Sequence, residues 1–165
     1  MGDDVLRLAT SLSMRRRRVT EEHAPGAFMG TGPYHAAAIF AHKECVLAYG
    51  ENRFVGVEGR WTEHAERAAI SKLPSRPRRR RLDAVDMLVI RTSKTGLFGN
   101  SRPCLHCILC MAHDLPERGY RLRRVYYFDD QRAMRETGLD TLCSEPPHVS
   151  VYYRNRGMVA RGPSL

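Results

Sequence analysis

Two short segments of this 165-residue chain carry side chains that could do chemistry together: Pro103-Cys104-Leu105-His106-Cys107 and His64-Ala65-Glu66. Cysteines three apart at the start of a helix send both sulfurs from one turn toward one point. In that first turn the helix dipole and the free N–H groups favour thiolate over thiol. Cys104, Cys107 and Cys110 fall within seven residues, and the chain's five cysteines are an odd number, so metal chemistry fits better than a complete set of intrachain disulfides. His64-Ala65-Glu66 adds an imidazole and a carboxyl at the start of a second helix. The competing reading is a structural site of four cysteines that draws on Cys110, Cys143 or Cys45. At about 100° per residue, Cys110 lies about 120° around the helix from Cys104, which weighs against its joining. Cys110 and Cys45 then read as small apolar core residues.

An H-x-E segment followed by P-C-x-x-C, each at a helix start, resembles the zinc-dependent cytidine deaminase superfamily. The resemblance covers roughly residues 33–153 and is closer to viral and bacterial branches than to the free-nucleoside branch. It implies an α/β fold of three α-β-α layers, a mixed five-stranded sheet with helices on both faces. It implies that His64, Cys104 and Cys107 hold Zn²⁺ and leave a fourth position to water, whose proton the metal loosens. Glu66 is then the proton shuttle, from water to a ring nitrogen and on to departing ammonia. Asn52 resembles a substrate-sugar contact, the peptide N–H groups of Ala65 and Cys104 resemble those that polarise the reacting groups, and the Ser101 carbonyl resembles the acceptor of the substrate amine. Trp61 is a candidate to stack on a base, with core packing as its other reading.

The implied activity is hydrolytic deamination of a nucleobase, cytosine to uracil foremost, in a nucleotide or a single-stranded nucleic acid. The alternative is a catalytically silent deaminase-fold module that binds nucleic acid through its arginine clusters. The resemblance leaves homo-oligomers open, with neighbouring subunits completing the site.

The elements that must position these residues follow from local pattern. Ala-rich Tyr34–His42 predicts a short helix. Cys45–Tyr49 and Phe54–Val57 predict a hairpin around the turn residues Gly50-Glu51-Asn52-Arg53. Glu63–Leu73 predicts a helix ended by Pro74. Met87–Ile90 is an apolar run suited to a strand buried on both faces. Residues 92–102 read as a loop, and Pro103 as the first turn of a helix running to about Asp114, before Pro116. Val125–Phe128 and Val149–Tyr153 predict strands, joined in parallel if Gln131–Thr137 is helical, or through an irregular loop if not. Residues 25–33 read as a loop, and residues 1–24 as a basic, flexible tail before a single domain spanning 25–165.

Composition bounds the rest. With 42% hydrophobic and 27% charged residues the chain has the balance of a soluble globular protein. No stretch approaches the roughly 20 apolar residues of a membrane span. Asp3 and Asp4 precede the basic run Arg15–Arg18, the reverse of a secretory signal, so the expected setting is cytoplasmic, with nuclear import through the arginine clusters as the variant. The net charge is +9. Arg76–Arg81 holds five arginines in six positions, and Arg118, Arg121, Arg123 and Arg124 lead into Tyr126-Tyr127-Phe128. Basic clusters beside aromatics suit single-stranded nucleic acid. Against that, 24 of the 27 basic residues are arginine, a skew that genome composition alone can produce.

Overall fold

A computed structural model describes residues 2–22, 34–41, 45–55, 61–77, 81–146 and 148. In chain order it runs α1 (Gly2–Glu22), β1 (Tyr34–Phe40), β2 (Val46–Glu51), β3 (Arg53–Val55), β4 (Trp61–Glu63), α2 (Ala65–Lys72), β5 (Asp83–Thr92), α3 (Leu105–Glu117), β6 (Tyr120–Phe128), β7 (Met134–Thr137) and α4 (Leu139–Ser144). Five strands form one sheet in the order β2-β1-β5-β6-β7, and β3 pairs with β4 separately. All neighbours in the main sheet are antiparallel except β5 and β6, which are parallel and joined through α3. Among the described residues no helix is long and apolar enough to cross a membrane.

The apolar run in β5 is covered on both faces, as its composition requires. On one face Val85, Met87 and Val89 meet Ala65, Ala69 and Ile70 of α2, Ile108, Met111 and Leu115 of α3, and Leu142 of α4. On the other, Leu88 and Ile90 meet Val5, Ala9 and Leu12 of α1. The layers are therefore α1, the mixed sheet, and α2 with α3 and α4, an α/β architecture.

Several elements depart from local expectation. Tyr34–Phe40 is a strand, not a helix, although alanine favours helix. Ala36–Phe40 are buried, with Ala36, Ala38 and Phe40 in one core and Ala37 and Ile39 in the other. A position between two apolar layers outweighs an intrinsic preference worth a few tenths of a kcal/mol per residue. The first residues are likewise no loose tail: α1 lays Val5, Ala9 and Leu12 on the sheet at helical spacing. β2 pairs with β1, so the expected hairpin between β2 and β3 does not form. Residues 134–137 form a strand antiparallel to β6, not part of a helical crossover, because Asp129 folds the chain back by accepting from the N–H groups of Gln131 and Ala133 at 2.9 Å each. α3 begins one residue beyond Cys104 and continues through Pro116, three residues past the expected end. Val149–Tyr153 and residues 25–33 lie outside the described residues, as do Arg78–Arg80 of the basic run.

Gly50, expected in a turn, lies within β2 opposite Ala37. α2 crosses directly over it, and a Cβ there would stand under 3.0 Å from Ala65 O, Ala69 N and Ala68 C. Backbone cannot yield as a side-chain tip can. Gly50→Ala is expected to cost on the order of 3 kcal/mol, a fall of roughly 6–12 °C in Tm for a chain this size. An unchanged melting curve would show that α2 does not sit this close.

Candidate metal centre

Two helix starts converge at the end of the sheet where β5 finishes. β4 leads into His64, whose extended backbone (φ −75°, ψ 151°) makes it the N-cap of α2. Beyond β5, Ser101 is clamped between strands. Its N–H donates to Phe128 O at 2.8 Å. Its hydroxyl donates to Val89 O at 2.8 Å and accepts from the Phe128 N–H at 2.9 Å. Two residues on, Pro103 is buried, and Cys104 (φ −77°, ψ 163°) caps α3. The start of α3 is also held by Leu105 N–H donating to His148 O at 3.0 Å and by an Arg102–Glu145 ion pair at 2.8 Å.

This scaffold brings His64, Cys104 and Cys107 together. His64 Nδ1 lies 3.3 Å from Cys107 Sγ and 3.4 Å from Cys104 Sγ, and the two sulfurs are 3.6 Å apart. The three could hold a metal ion. Both cysteines are buried, and all five cysteines are free thiols. Cys110, Cys143 and Cys45 stand outside the triad. Cys110 and Cys143 are half-buried against the core. Cys45, expected on a strand and in the core, is exposed and precedes β2.

The charges at the site are strongly coupled. The Cys107 hydrogen bond and the His64 ring hold the Cys104 thiol down at about 4 against the opposing effect of burial, while the same partnership and burial push Cys107 well up. The pair thus gives up one proton readily and keeps the other. His64 is raised, chiefly by its hydrogen bond to Cys104. Glu66 is only 6% exposed. Burial, and then the charge on Cys104, raise its pKa.

Asn52 sits between β2 and β3 and accepts the Ala65 N–H at 2.8 Å through Oδ1. The Ala65 N–H is thus engaged within the protein, and Asn52 holds the first turn of α2, and with it His64. Asn52→Ala is expected to lower stability by about 1 kcal/mol in denaturant melts, and Asn52→Asp, which keeps the acceptor, to retain most of it. Equal melts for all three proteins would remove this role. Trp61 opens β4 opposite Val55.

Most arginines of the second cluster already have partners. Arg123 forms a forked pair with Asp86, a carboxylate buried in the sheet. Arg124 pairs with Glu136 at 2.9 Å, and Arg118 donates to Leu73 O at 3.0 Å. Tyr126 and Phe128 are buried on the α1 face, with Tyr127 half-buried on the other.

Two neighbours of the site escaped sequence reasoning, His35 and Arg91. They pair across β1 and β5. His35 is held down to about 4 by burial, then by Arg91 and His64. Reading residues 34–42 as a helix concealed the pair, and no local signal marks it. No protein-family model and no curated protein matches this sequence.

Proposed function

We propose that the chain is a zinc-dependent hydrolytic deaminase of a nucleobase, with cytosine as the foremost substrate. The observation that carries the reading is the His64–Cys104–Cys107 triangle with the buried Glu66 carboxyl against it. Two sulfurs and one imidazole nitrogen are a donor set that zinc takes. Tetrahedral zinc, with bonds of about 2.3 Å to sulfur and about 2.0–2.1 Å to nitrogen, spaces its donors about 3.8 Å apart for two sulfurs and about 3.6 Å for sulfur and nitrogen. The spacings of 3.6, 3.4 and 3.3 Å are close to these. Three protein donors also leave one position open, the pattern of catalytic zinc. When bound there, zinc supplies a Lewis acid that makes water a better nucleophile near neutral pH.

The protein's own residues supply the proton handling. In the net reaction water adds its oxygen to the base carbon that bears the amine, the C–N bond breaks, and ammonia leaves. Glu66 takes a proton from the water and gives one to the ring nitrogen, then carries the second to the leaving amine.

The test is a mass-spectrometric screen of zinc-loaded protein against cytidine, deoxycytidine, deoxycytidylate, guanine, tRNA and single-stranded DNA. The product sought is heavier by about 1 Da, the mark of amine exchanged for oxygen. Turnover of any member supports the reading. Salt-dependent nucleic-acid binding with no turnover of any base favours the silent module instead.

A further inference from the structure

The apolar rows on the α2 side of the sheet end abruptly. β1 and β5 match Ile39 with Met87, then Ala37 with Val89, and the next pair toward the metal end is His35 with Arg91. The first two pairs belong to the core beneath α2 and α3. Directly opposed residues of antiparallel strands share a face, so His35 and Arg91 lie on that same side. His35 is close enough to feel the charge of both Arg91 and His64. Arg91 continues outward under the loop after β5, where its own carbonyl accepts the Gly99 N–H at 2.8 Å and its Cδ runs past Gly99.

Arg91 is also unlike its peers. Four arginines are half-buried among the described residues: Arg91, Arg102, Arg118 and Arg124. Arg102 lies within ion-pair distance of Glu145, although its buried Nε and Nη2 make no hydrogen bond, Arg124 has Glu136, and Arg118 has the Leu73 carbonyl. Arg91 has no carboxylate within salt-bridge distance and no side-chain acceptor among the described residues. Arg91 is half-buried and has no counter-charge among the described residues, so its guanidinium is left to an arriving anion. Its planar fork suits phosphate in two-point contact.

We infer that Arg91 seats the phosphate of the substrate, with the base over the metal triad and His35 in the span between them. This rests on the deaminase reading above and narrows its substrate to a nucleoside that carries phosphate. The same chemistry comes from a free nucleotide or from the phosphodiester next to a base in single-stranded DNA.

The experiment measures equilibrium binding to zinc-loaded protein carrying Glu66→Gln, which holds turnover down, with position 91 as wild type, Arg91→Met or Arg91→Lys. The probes are deoxycytidine, deoxycytidylate and a fluorescein-labelled cytosine-containing single-stranded oligonucleotide. Arg132→Met, on the β6–β7 turn, removes the same charge elsewhere. Wild type is expected to prefer deoxycytidylate to deoxycytidine, and Arg91→Met to weaken the phosphate-bearing ligand about 10- to 100-fold and so close that gap. Arg91→Lys, which keeps the charge but not the fork, recovers part of the loss. A loss confined to deoxycytidylate identifies a free nucleotide, and a loss confined to the oligonucleotide identifies a polynucleotide; either supports the seat. Equal binding by wild type and Arg91→Met, or an equal loss in Arg132→Met, overturns it and leaves the deaminase reading standing. A wild type that binds none of the three overturns the seat, and with it cytosine as the substrate.

Discussion

Cys107→Ser is expected to bring the metal content of the purified protein from about one ion per chain to near zero, and with it any deaminase turnover. Cys107 supplies one of three donors whose mutual distances are 3.3–3.6 Å, and no fourth histidine, cysteine or carboxylate joins that group among the described residues. A serine hydroxyl at neutral pH is protonated and a poor zinc ligand, so two donors remain. Cys104→Ser and His64→Ala are expected to do the same. The loss in kcat/KM should reach at least about 10³-fold, because the nucleophile and its activation go together. Elemental analysis of the purified variants gives the metal directly. A second readout needs no substrate. An ion that binds only the folded state stabilises it by RT ln(1 + [M]/Kd), about 4 kcal/mol at a thousandfold excess over Kd, so added zinc should raise the Tm of the wild type and leave that of Cys107→Ser unmoved. Cys110→Ser is the control that separates this centre from a four-thiolate structural site. Cys110 is half-buried and outside the triad, and its variant should keep the metal. Loss of metal in Cys110→Ser equal to that in Cys107→Ser would refute the three-donor site.

The residues of this site could be read from the chain because their chemistry is local. His64 and Glu66 lie within three residues of each other, as do Cys104 and Cys107 within four, and the helices that present them begin at points marked by Pro103 and end, for α2, just before Pro74. Met87–Ile90 was legible for a similar reason, since an unbroken apolar run needs cover on both sides wherever it goes. What the sequence concealed depends on partners far along the chain. Ala36–Phe40 has the composition of a helix and becomes a strand only because α1 covers one face of it and α2 and α3 the other. Val5, Ala9 and Leu12 are an apolar stripe too sparse to stand out among charged neighbours, and only the sheet beneath gives them a purpose. Gly50 carries the signature of a turn residue, yet the demand on it comes from α2 passing overhead. The pairing of His35 with Arg91 was out of reach for the same reason. It exists only once β1 is a strand in register with β5.

Glu66→Gln is expected to keep the fold and the metal while reducing deamination by about 10²- to 10⁴-fold, the usual worth of a positioned proton carrier. Glutamine matches glutamate in shape and can still hydrogen bond, but it cannot take a proton from water and pass it on. The choice of glutamine over alanine matters at this position. Glu66 is 6% exposed in the first turn of α2, and truncation there would open a cavity beside Ala65 and His64 and confuse loss of chemistry with loss of packing. The kinetic pattern also separates proton transfer from binding. Loss of a group that acts in the transition state lowers kcat and kcat/KM together, whereas loss of a substrate contact raises KM first. Glu66→Gln should therefore bind deoxycytidylate or the oligonucleotide close to the wild-type level while turning them over slowly. Arg91→Met is expected to show the reverse order, with weakened binding as the primary defect. The two variants would then fail in two different ways. If Glu66→Gln turned over substrate at the wild-type rate with its metal in place, the proton route through this carboxyl would be wrong, and the acid and base would have to come from another group near the triad.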